Sequence, residues 1–137
     1  MRIGIIDGQG GGIGKYITER LRKELPPDLE IIALGTNALA TAAMLRAGAN
    51  DGASGENAIV QTVPTLDLIA GSLAIITANS FLGELTPAMA AAIASAPGKK
   101  LLLALGRGNV EVIGGSTEPF PHQVDLLIKR IADKGKL

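Results

Sequence analysis

Cysteine and tryptophan are absent from this chain of 137 residues, and histidine occurs once, as His122. The lack of cysteine excludes disulfides, thiolate catalysis and cysteine-bound metals, and a single histidine cannot form a histidine metal cluster. We therefore expect no metal site. Aromatic residues make up only 2% of the chain, although hydrophobic residues make up 47%. This balance predicts an aliphatic core and excludes base stacking on aromatic platforms.

Charge of one sign is not in excess either, because 13 Lys and Arg residues balance 13 Asp and Glu residues. Such a chain has no global field that would attract nucleic acid or an anionic membrane. Its N-terminus lacks the pattern of a signal peptide, and no apolar run reaches the length of a membrane span. We expect a cytoplasmic protein with no nucleic-acid or membrane partner. The length predicts one domain over residues 1–137, about half the size of a full dinucleotide-binding fold.

The N-terminal segment has the order strand, glycine-rich turn, helix. Arg2–Asp7 is a short apolar run of strand character, Gly8–Gly14 is mostly glycine, and Lys15–Leu25 carries apolar residues at helical spacing. In this context a glycine turn is the opening unit of a nucleotide-binding α/β fold, where the first amides of the helix face a phosphate. The segment therefore predicts a phosphate-binding site.

The glycines of this turn are spaced as G-x-x-x-G-x-G, at Gly8, Gly12 and Gly14. In such a turn Gly8 allows a sharp bend, Gly12 lets the backbone approach a phosphate, and Gly14 lets helix and strand pack closely. We expect Asp7 to accept hydrogen bonds from turn amides. A tight turn without a ligand is the alternative. The predicted binding residues here are Asp7, Gly8, Gln9, Gly10, Gly11, Gly12, Ile13, Gly14 and Lys15.

A second strand and helix follow. Ile31–Leu34 is an unbroken apolar run, typical of a strand buried on both faces of a parallel sheet, and Ala38–Ala47 is the next helix. Dinucleotide enzymes usually place an acidic residue after this strand for the ribose hydroxyls, or a basic one for a 2′-phosphate. Here the positions are Gly35, Thr36 and Asn37. They do not distinguish NAD from NADP, although Thr36 or Asn37 can cap the helix.

The segment from Ala49 to Ala78 is open to two interpretations. We favour a loop over Ala49–Asn57, a strand over Ala58–Gln61, a short helix opened by Pro64 and a strand over Leu73–Ala78. The alternative places a helix over Glu56–Val63 and a strand over Leu66–Ala70. Periodicity alone cannot distinguish short apolar runs of this kind.

The last part of the chain alternates in the same way. Thr86-Pro87 opens a helix with a capping residue and a proline at the first position, and Pro97-Gly98 ends it. Leu101–Leu105 is predicted as a strand, Gly106–Gly108 as a turn, and Val110–Ile113 as an antiparallel edge strand. A final helix over Pro121–Lys134 has an apolar face. That face is formed by Val124, Leu127, Ile128 and Ile131.

This alternation predicts an α/β fold with a parallel sheet and helices on both faces. In such sheets ligands bind outside the carboxyl ends of the strands. The segments that leave those ends are rich in glycine and small polar residues, as a polar ligand requires, although βα turns favour such residues without a ligand too. Arg107 is the one cation among them and a candidate phosphate contact. These segments add Gly35, Thr36, Asn37, Asn79, Ser80, Arg107 and Asn109 to the predicted binding residues.

Four segments carry a resemblance to a known family: Asp7–Lys15, Ala33–Thr41, Ala78–Ser80 and Asn109–Glu111. They resemble a small bacterial family of uncharacterised Rossmann-like proteins, across nearly the whole chain. The resemblance implies a single Rossmann-like domain with a mostly parallel, twisted sheet of about five or six strands, and it carries no assigned reaction.

The glycine turn is also similar to the cofactor turn of short-chain dehydrogenases. That resemblance extends to Asn79, which corresponds to the loop after their fourth strand. Their catalytic Tyr-x-x-x-Lys pair is missing, because the only tyrosine, Tyr16, is followed four residues later by Arg20.

No catalytic residue can be assigned. Nothing in the spacing brings Asp7 and Glu111 together as paired carboxylates, and His122 is expected at the surface. Glu56 stays an open candidate. The first function that the sequence supports is a nucleotide- or dinucleotide-binding module, a sensor or accessory protein, with NAD(P) or another adenine nucleotide as its ligand. The alternative is a small NAD(P)-dependent oxidoreductase completed by a partner subunit, and a purely structural interaction protein comes third.

The predicted helix over residues 87–96 has no charged residue on any face. A helix that is apolar all round is expected to be buried all round, and so small a domain cannot supply the second cover. We therefore predict a homodimer packed through this helix, with Met89 and Ile93 filling the contact. Ala90→Glu or Ala94→Glu should then give a folded monomer. The alternative is that alanine is simply a good helix former whose exposure costs little.

Overall fold

The computed structural model describes residues 1–105 and 109–135. Its strands are β1 (Arg2–Asp7), β2 (Glu30–Gly35), β3 (Asp51–Ser54), β4 (Leu68–Ser72) and β5 (Lys99–Leu103). Its α-helices are α1 (Gly12–Glu24), α2 (Ala38–Arg46), α3 (Glu56–Thr62), α4 (Pro87–Ser95) and α5 (Phe120–Gly135). Two short 3-10 helices, Val63–Thr65 and Leu73–Ile76, lie on either side of β4. None of the described helices is long and apolar enough to cross a membrane.

The five strands form one sheet in the order β3-β2-β1-β4-β5, and every neighbouring pair is parallel. At its centre, Ile5 of β1 pairs with Ala33 of β2 and with Ala70 of β4. The chain builds outwards from β1 to β3 and then crosses back to place β4 on the other side of β1. This reversal is the topological switch point of a Rossmann-like sheet. The predicted fold class is confirmed.

Helices cover both faces of the sheet because the central strands are apolar on both sides. Ile3 and Ile5 face a core formed with α1, α2 and α5, whereas Ile6 faces a second core formed with α3, α4 and the Leu73–Ile76 segment. The alternation follows from the period of two in a strand. Both cores are aliphatic, as the composition predicts.

Two helix starts form as their capping residues predict. The side chain of Asn37 accepts the Ala40 amide at the start of α2, and Thr86 accepts the Met89 amide at the start of α4, which has Pro87 at its first position. The apolar face predicted for the last helix is buried in α5. The bounds of α1, α2, α4 and α5 therefore lie close to those predicted.

The favoured interpretation of Ala49–Ala78 is wrong for its loop and both of its strands, and the alternative is close to the structure. The short helix predicted at Pro64 is present as the 3-10 helix Val63–Thr65. The segment predicted as a strand at Ala58–Gln61 is part of α3, and the strand of this region is β4. Ile59 and Val63, four positions apart, both point into the core, which is the helical period. The Leu73–Ile76 run, predicted as strand, is a 3-10 helix opened by Ser72, whose hydroxyl accepts the Ala74 amide at 3.3 Å.

Two further predictions fail at the edges of the sheet. Asp51–Ser54, predicted as loop, is the edge strand β3, and it carries no apolar pattern because it is largely exposed. Val110–Ile113, predicted as an antiparallel edge strand, is irregular and exposed, with 87% of Ile113 accessible. Its apolar residues have no core to face, so their β propensity is not realised. The turn predicted at Gly106–Gly108 lies outside the described residues.

Candidate functional site

An open cleft of about 440 Å³ lies at the switch point between the carboxyl ends of β1 and β4. This volume is within the range of small-molecule sites, about 300–1,000 Å³. The glycine turn after β1 contributes two of its lining residues, Gln9 and Ile13. The other lining residues are Ser72, Leu73, Ala74, Thr77, Ala78, Asn79, Ser80, Phe81, Leu82, Leu105, Asn109 and Val110.

The carboxylate of Asp7 binds backbone amides at both ends of the glycine turn. Asp7 is 4% exposed, and it accepts the Gly8 amide at 2.8 Å on one oxygen and the Gly14 amide at 2.7 Å on the other. Burial raises the pKa of Asp7 above its ordinary value, although the amides of Gly14, Gly8 and Ile13 act in the opposite direction. Asp7 therefore has the role expected for it, and it engages part of the amide set at the start of α1.

Gly10 and Gly12 are the open positions of the turn. A Cβ built on either residue would meet no atom within 4 Å. Gly12 is also the first residue of α1, so its backbone is helical and its amide lies at the positive end of the helix dipole. The space above Gly12 is what a phosphate would need in order to approach the backbone.

The other glycines of the turn are packed. A Cβ on Gly14 would lie 2.5 Å from the Met44 sulfur and 3.0 Å from the Asp7 Cβ, so Gly14 permits close packing of helix and strand, as predicted. Gly11 adopts a φ of 75°, in the left-handed region that favours glycine. A Cβ on Gly8 would lie 2.7 Å from the Phe81 ring and 2.7 Å from the Thr36 hydroxyl. These three positions shape the turn and have no room for a ligand.

A glutamate from elsewhere in the chain reaches the end of β2. One carboxylate oxygen of Glu84, Oε1, accepts the Thr36 hydroxyl at 2.6 Å, the Gln9 amide at 2.8 Å and the Asn37 side-chain amide at 2.9 Å. The Thr36 hydroxyl contributes most to holding the pKa of Glu84 below its ordinary value, followed by the Gln9 amide. An ionised carboxylate therefore stands where the sequence places only neutral side chains.

Glu84 is carried by a loop, Asn79–Leu85, that we call the strap. The strap runs from the β4 side of the cleft to the end of β2, and Phe81 packs against Gly8 on the way. Asn79, Phe81 and Leu82 all have positive φ, at 67°, 57° and 55°, which costs non-glycine residues free energy. Backbone hydrogen bonds across the strap, such as Asn79 N–H to the Leu85 carbonyl at 2.7 Å, hold this conformation.

A domain of unknown function, DUF3842, matches residues 2–136. The chain belongs to the DUF3842 family. The predicted resemblance to an uncharacterised family is confirmed to this extent, and the fold is the α/β parallel sheet that the resemblance implied. No curated protein and no solved structure matches the chain significantly.

The predicted binding residues of this DUF3842 chain fall into three groups. The first lines the cleft or meets Glu84, and comprises Gln9, Ile13, Thr36, Asn37, Asn79, Ser80 and Asn109. The second builds the turn around it, and comprises Asp7, Gly8, Gly10, Gly11, Gly12 and Gly14. The third does not belong to the cleft, and comprises Lys15, whose ammonium lies 4.0 Å from Glu19, and Gly35, whose amide donates to the Thr41 hydroxyl. Arg107 lies outside the described residues.

The candidate catalytic groups are not brought together. His122 is exposed, with Nδ1 3.2 Å from a Glu118 oxygen, as expected for a surface residue. Glu56 accepts the Thr86 hydroxyl at 2.5 Å. It lines neither the cleft at the switch point nor a second cleft that adjoins it in the DUF3842 chain. Glu111 lines an adjoining cleft of about 780 Å³, whereas Asp7 is buried beneath the turn.

Tyr16 is engaged elsewhere. Its ring centroid lies 5.1 Å from that of Phe120, and its hydroxyl accepts from Arg20 at 3.2 Å.

Sequence reasoning missed Glu84, Phe81 and the Ser72–Ala74 end of β4. The β4 end was missed because the strand was placed after it, over Leu73–Ala78. Glu84 gives no signal in the sequence, since it meets Gln9 across 75 positions and only through the fold of the strap. Phe81 shows that a low aromatic content does not keep an aromatic ring out of the cleft of this DUF3842 protein.

Proposed function

We propose that this chain is a nucleotide- or dinucleotide-binding module, a sensor or accessory protein, that binds a phosphate at the Gly8–Gly14 turn. The observation that carries the proposal is the cleft at the switch point between β1 and β4, with the glycine turn at its edge. In open parallel α/β sheets this crevice is where ligands bind. No chemistry of its own is assigned to the module.

The phosphate would lie above Gly12, at the start of α1. The open space there and the positive end of the helix dipole both favour an anion, and Gly14 and Gly8 have already donated their amides to Asp7. The spacing of the glycines, similar to the cofactor turn of short-chain dehydrogenases, supports NAD(P) or another adenine nucleotide. From this position the ligand can extend towards Thr36 and Asn37. On the opposite side Asn79, Ser80 and Asn109 are the proposed contacts. Arg107, which lies outside the described residues, stays a candidate phosphate contact from the sequence.

The alternative is a small NAD(P)-dependent oxidoreductase completed by a partner subunit. One observation favours it: the adjoining cleft of about 780 Å³ shares Ile13, Leu73, Leu105 and Val110 with the first cleft and leaves room for a substrate beside a cofactor. The engagement of Tyr16 with Phe120 and Arg20 weighs against a role for the only tyrosine.

The proposed function is tested first on the purified protein. Mass spectrometry under native conditions should detect a retained nucleotide, and titration with NAD, NADP, FAD, ATP and AMP should give saturable binding of at least one. Binding of an oxidised and a reduced cofactor together with turnover of a carbonyl substrate would favour the oxidoreductase. Failure of all five ligands to bind would contradict both readings and leave the structural interaction protein.

The homodimer through α4 also stays a proposal, but fewer residues of α4 are exposed for the contact than the sequence predicts. Met89 and Ile93, expected to fill the contact, lie in the core of their own chain, and Ala90 is only 7% exposed. The outward residues of α4 include Ala88, Ala91 and Ala94, small side chains that would allow a second copy of the helix to approach closely.

A cytoplasmic location stays a prediction from the sequence.

Sedimentation at micromolar concentration is therefore expected to show a dimer. Ala94→Glu should give a monomer whose stability changes by no more than about 0.5 kcal/mol, since the residue is exposed. Ala90→Glu, predicted from the sequence to behave alike, should instead lower stability by about 3–5 kcal/mol because it buries an unpaired charge. A monomeric parent protein would end the proposal.

A further inference from the structure

We propose that Glu84 binds the ribose hydroxyls of the nucleotide and selects an unmodified 2′,3′-diol over a 2′-phosphate. Dinucleotide-binding sheets usually carry this carboxylate on the residues that follow the second strand. Here Gly35, Thr36 and Asn37 occupy those positions, and none is acidic. The inference rests on the proposed function and names the part of the ligand that this end of the site recognises.

The position of Glu84 matches that role. Its Oε1 atom is held by Thr36 and Asn37 at the end of β2 and by the Gln9 amide of the glycine turn. Asn37 is fixed in turn, because its side chain also donates to the Gln9 carbonyl at 3.0 Å and caps α2. The carboxylate is thus fixed between the β2 end and the turn, as a ribose anchor requires.

The hydrogen bonding of Glu84 leaves one oxygen for a ligand. All three donors reach Oε1, and none of the hydrogen bonds in the described part of the chain reaches Oε2. Hydroxyl donors favour an ionised acceptor, so a ribose diol gains charge-assisted hydrogen bonds at Oε2. A 2′-phosphate, which carries about −1.5 to −2 charges at neutral pH, would face a fixed negative charge instead.

The alternative is that Glu84 is an internal plug that fills the anion site and leaves when a phosphate binds. The space at the glycine turn distinguishes the ribose anchor from the plug. The place proposed for the phosphate is above Gly12, where nothing lies within 4 Å of a built Cβ. Glu84 therefore leaves the position above Gly12 open, and it contacts only the end of β2 and the Gln9 amide of the turn. A carboxylate beside an open phosphate position fits a ribose anchor.

The test uses three matched ligands on the full chain: AMP, 2′-deoxyAMP and adenosine 2′,5′-bisphosphate. Calorimetric titration of the parent protein should show AMP binding at least about tenfold more tightly than either of the others, since one charge-assisted hydrogen bond or one like-charge contact is worth that much. Glu84→Gln keeps the shape and removes the charge. It should lose most of both preferences.

Glu56→Gln is the matched control, because Glu56 also accepts a threonine hydroxyl, from Thr86, but that contact lies at the start of α4, away from the end of β2 and the glycine turn. It should keep the preferences of the parent protein, and thermal melts should show that both variants fold. If Glu84→Gln does not fold, the three ligands on the parent chain still decide the question.

Two results would overturn the ribose anchor while leaving the proposed function in place. One is binding of AMP without preference over 2′-deoxyAMP and the bisphosphate. The other is tighter binding of all three ligands by Glu84→Gln, which is the behaviour of a plug. If none of the three ligands binds the parent protein, this inference fails, whereas the proposed function fails only if NAD, NADP, FAD and ATP do not bind either.

Discussion

Gly12→Val is expected to abolish nucleotide binding while the fold remains intact. The position is open and helical, and a Cβ there meets no atom from another part of the chain within 4 Å, but the valine side chain would stand between the backbone and the phosphate. Loss of two charge-assisted hydrogen bonds from the first helical amides would cost about 3–6 kcal/mol, which is more than 100-fold in affinity. Titration of NAD, NADP, FAD, ATP and AMP measures the loss, with thermal melts beside it.

Gly14→Val provides the contrast within the same turn. A side chain there meets Met44 and Asp7 at once, so the variant should lose about 1–3 kcal/mol of stability by overpacking. Gly12→Val should melt close to the parent protein. Unchanged binding by Gly12→Val would show that the phosphate does not approach this residue, and a melting point as low as that of Gly14→Val would show that the open space is not available.

Asp7→Ala is expected to destabilise the protein strongly. It leaves the buried amides of Gly8 and Gly14 without an acceptor, and each such loss costs about 1–3 kcal/mol. The sum of about 2–6 kcal/mol is a large part of the 5–15 kcal/mol typical of a domain. Denaturant unfolding measures it. A loss of less than about 1 kcal/mol in the free energy of unfolding would mean that the hydrogen bonds of Asp7 do not stabilise the turn.

The pH dependence of stability tests the state of Asp7 separately. Its pKa is raised on folding, so the folded state holds the proton more tightly than the unfolded state does. The stability this contributes is present below the ordinary value of 3.8 and is lost as the pH rises through the raised pKa. Asp7→Asn cannot titrate. The stability difference between the parent protein and Asp7→Asn should therefore shift against the parent as the pH rises through this window, and a constant difference would contradict the raised pKa.

Long elements with a clear period could be predicted from the sequence. The apolar face of α5 and the unbroken runs of β1 and β2 bury many side chains each, so their pattern outweighs local preference. The caps of α2 and α4 added local signals at Asn37 and Thr86. Short elements could not be predicted in this way. An edge strand such as β3 buries few side chains, so it has no apolar pattern. Leu73–Ile76 is apolar because it packs in the second core with α3 and α4, and that apolar character does not reveal its backbone conformation.

The site residues show the same difference: those set by local sequence could be predicted, and those set by long-range contacts could not. The Gly8–Gly14 turn was predictable because its strand, glycines and helix are adjacent in the chain and act locally. The close approach of Gly14 to Asp7 and the role of Asp7 follow from that short segment, whereas the packing of Met44 against Gly14 does not. The position of Glu84 depends on four residues of the strap with positive φ, three of them not glycine, and on partners far away in sequence. No local pattern encodes such a meeting, so the charge at the end of β2 emerges only from the tertiary structure.

The central claim is that a nucleotide places its phosphate at the Gly8–Gly14 turn. Titration of ¹⁵N-labelled protein with AMP, followed by amide chemical shifts, tests it most directly because it locates the ligand as well as detecting it. The amides of Gly10, Gly12 and Ile13 should shift most, together with that of Gln9, while the amides of α5 beyond Ile128 stay in place. Saturable shifts confined to another surface, or none at the turn at millimolar AMP, would contradict the account.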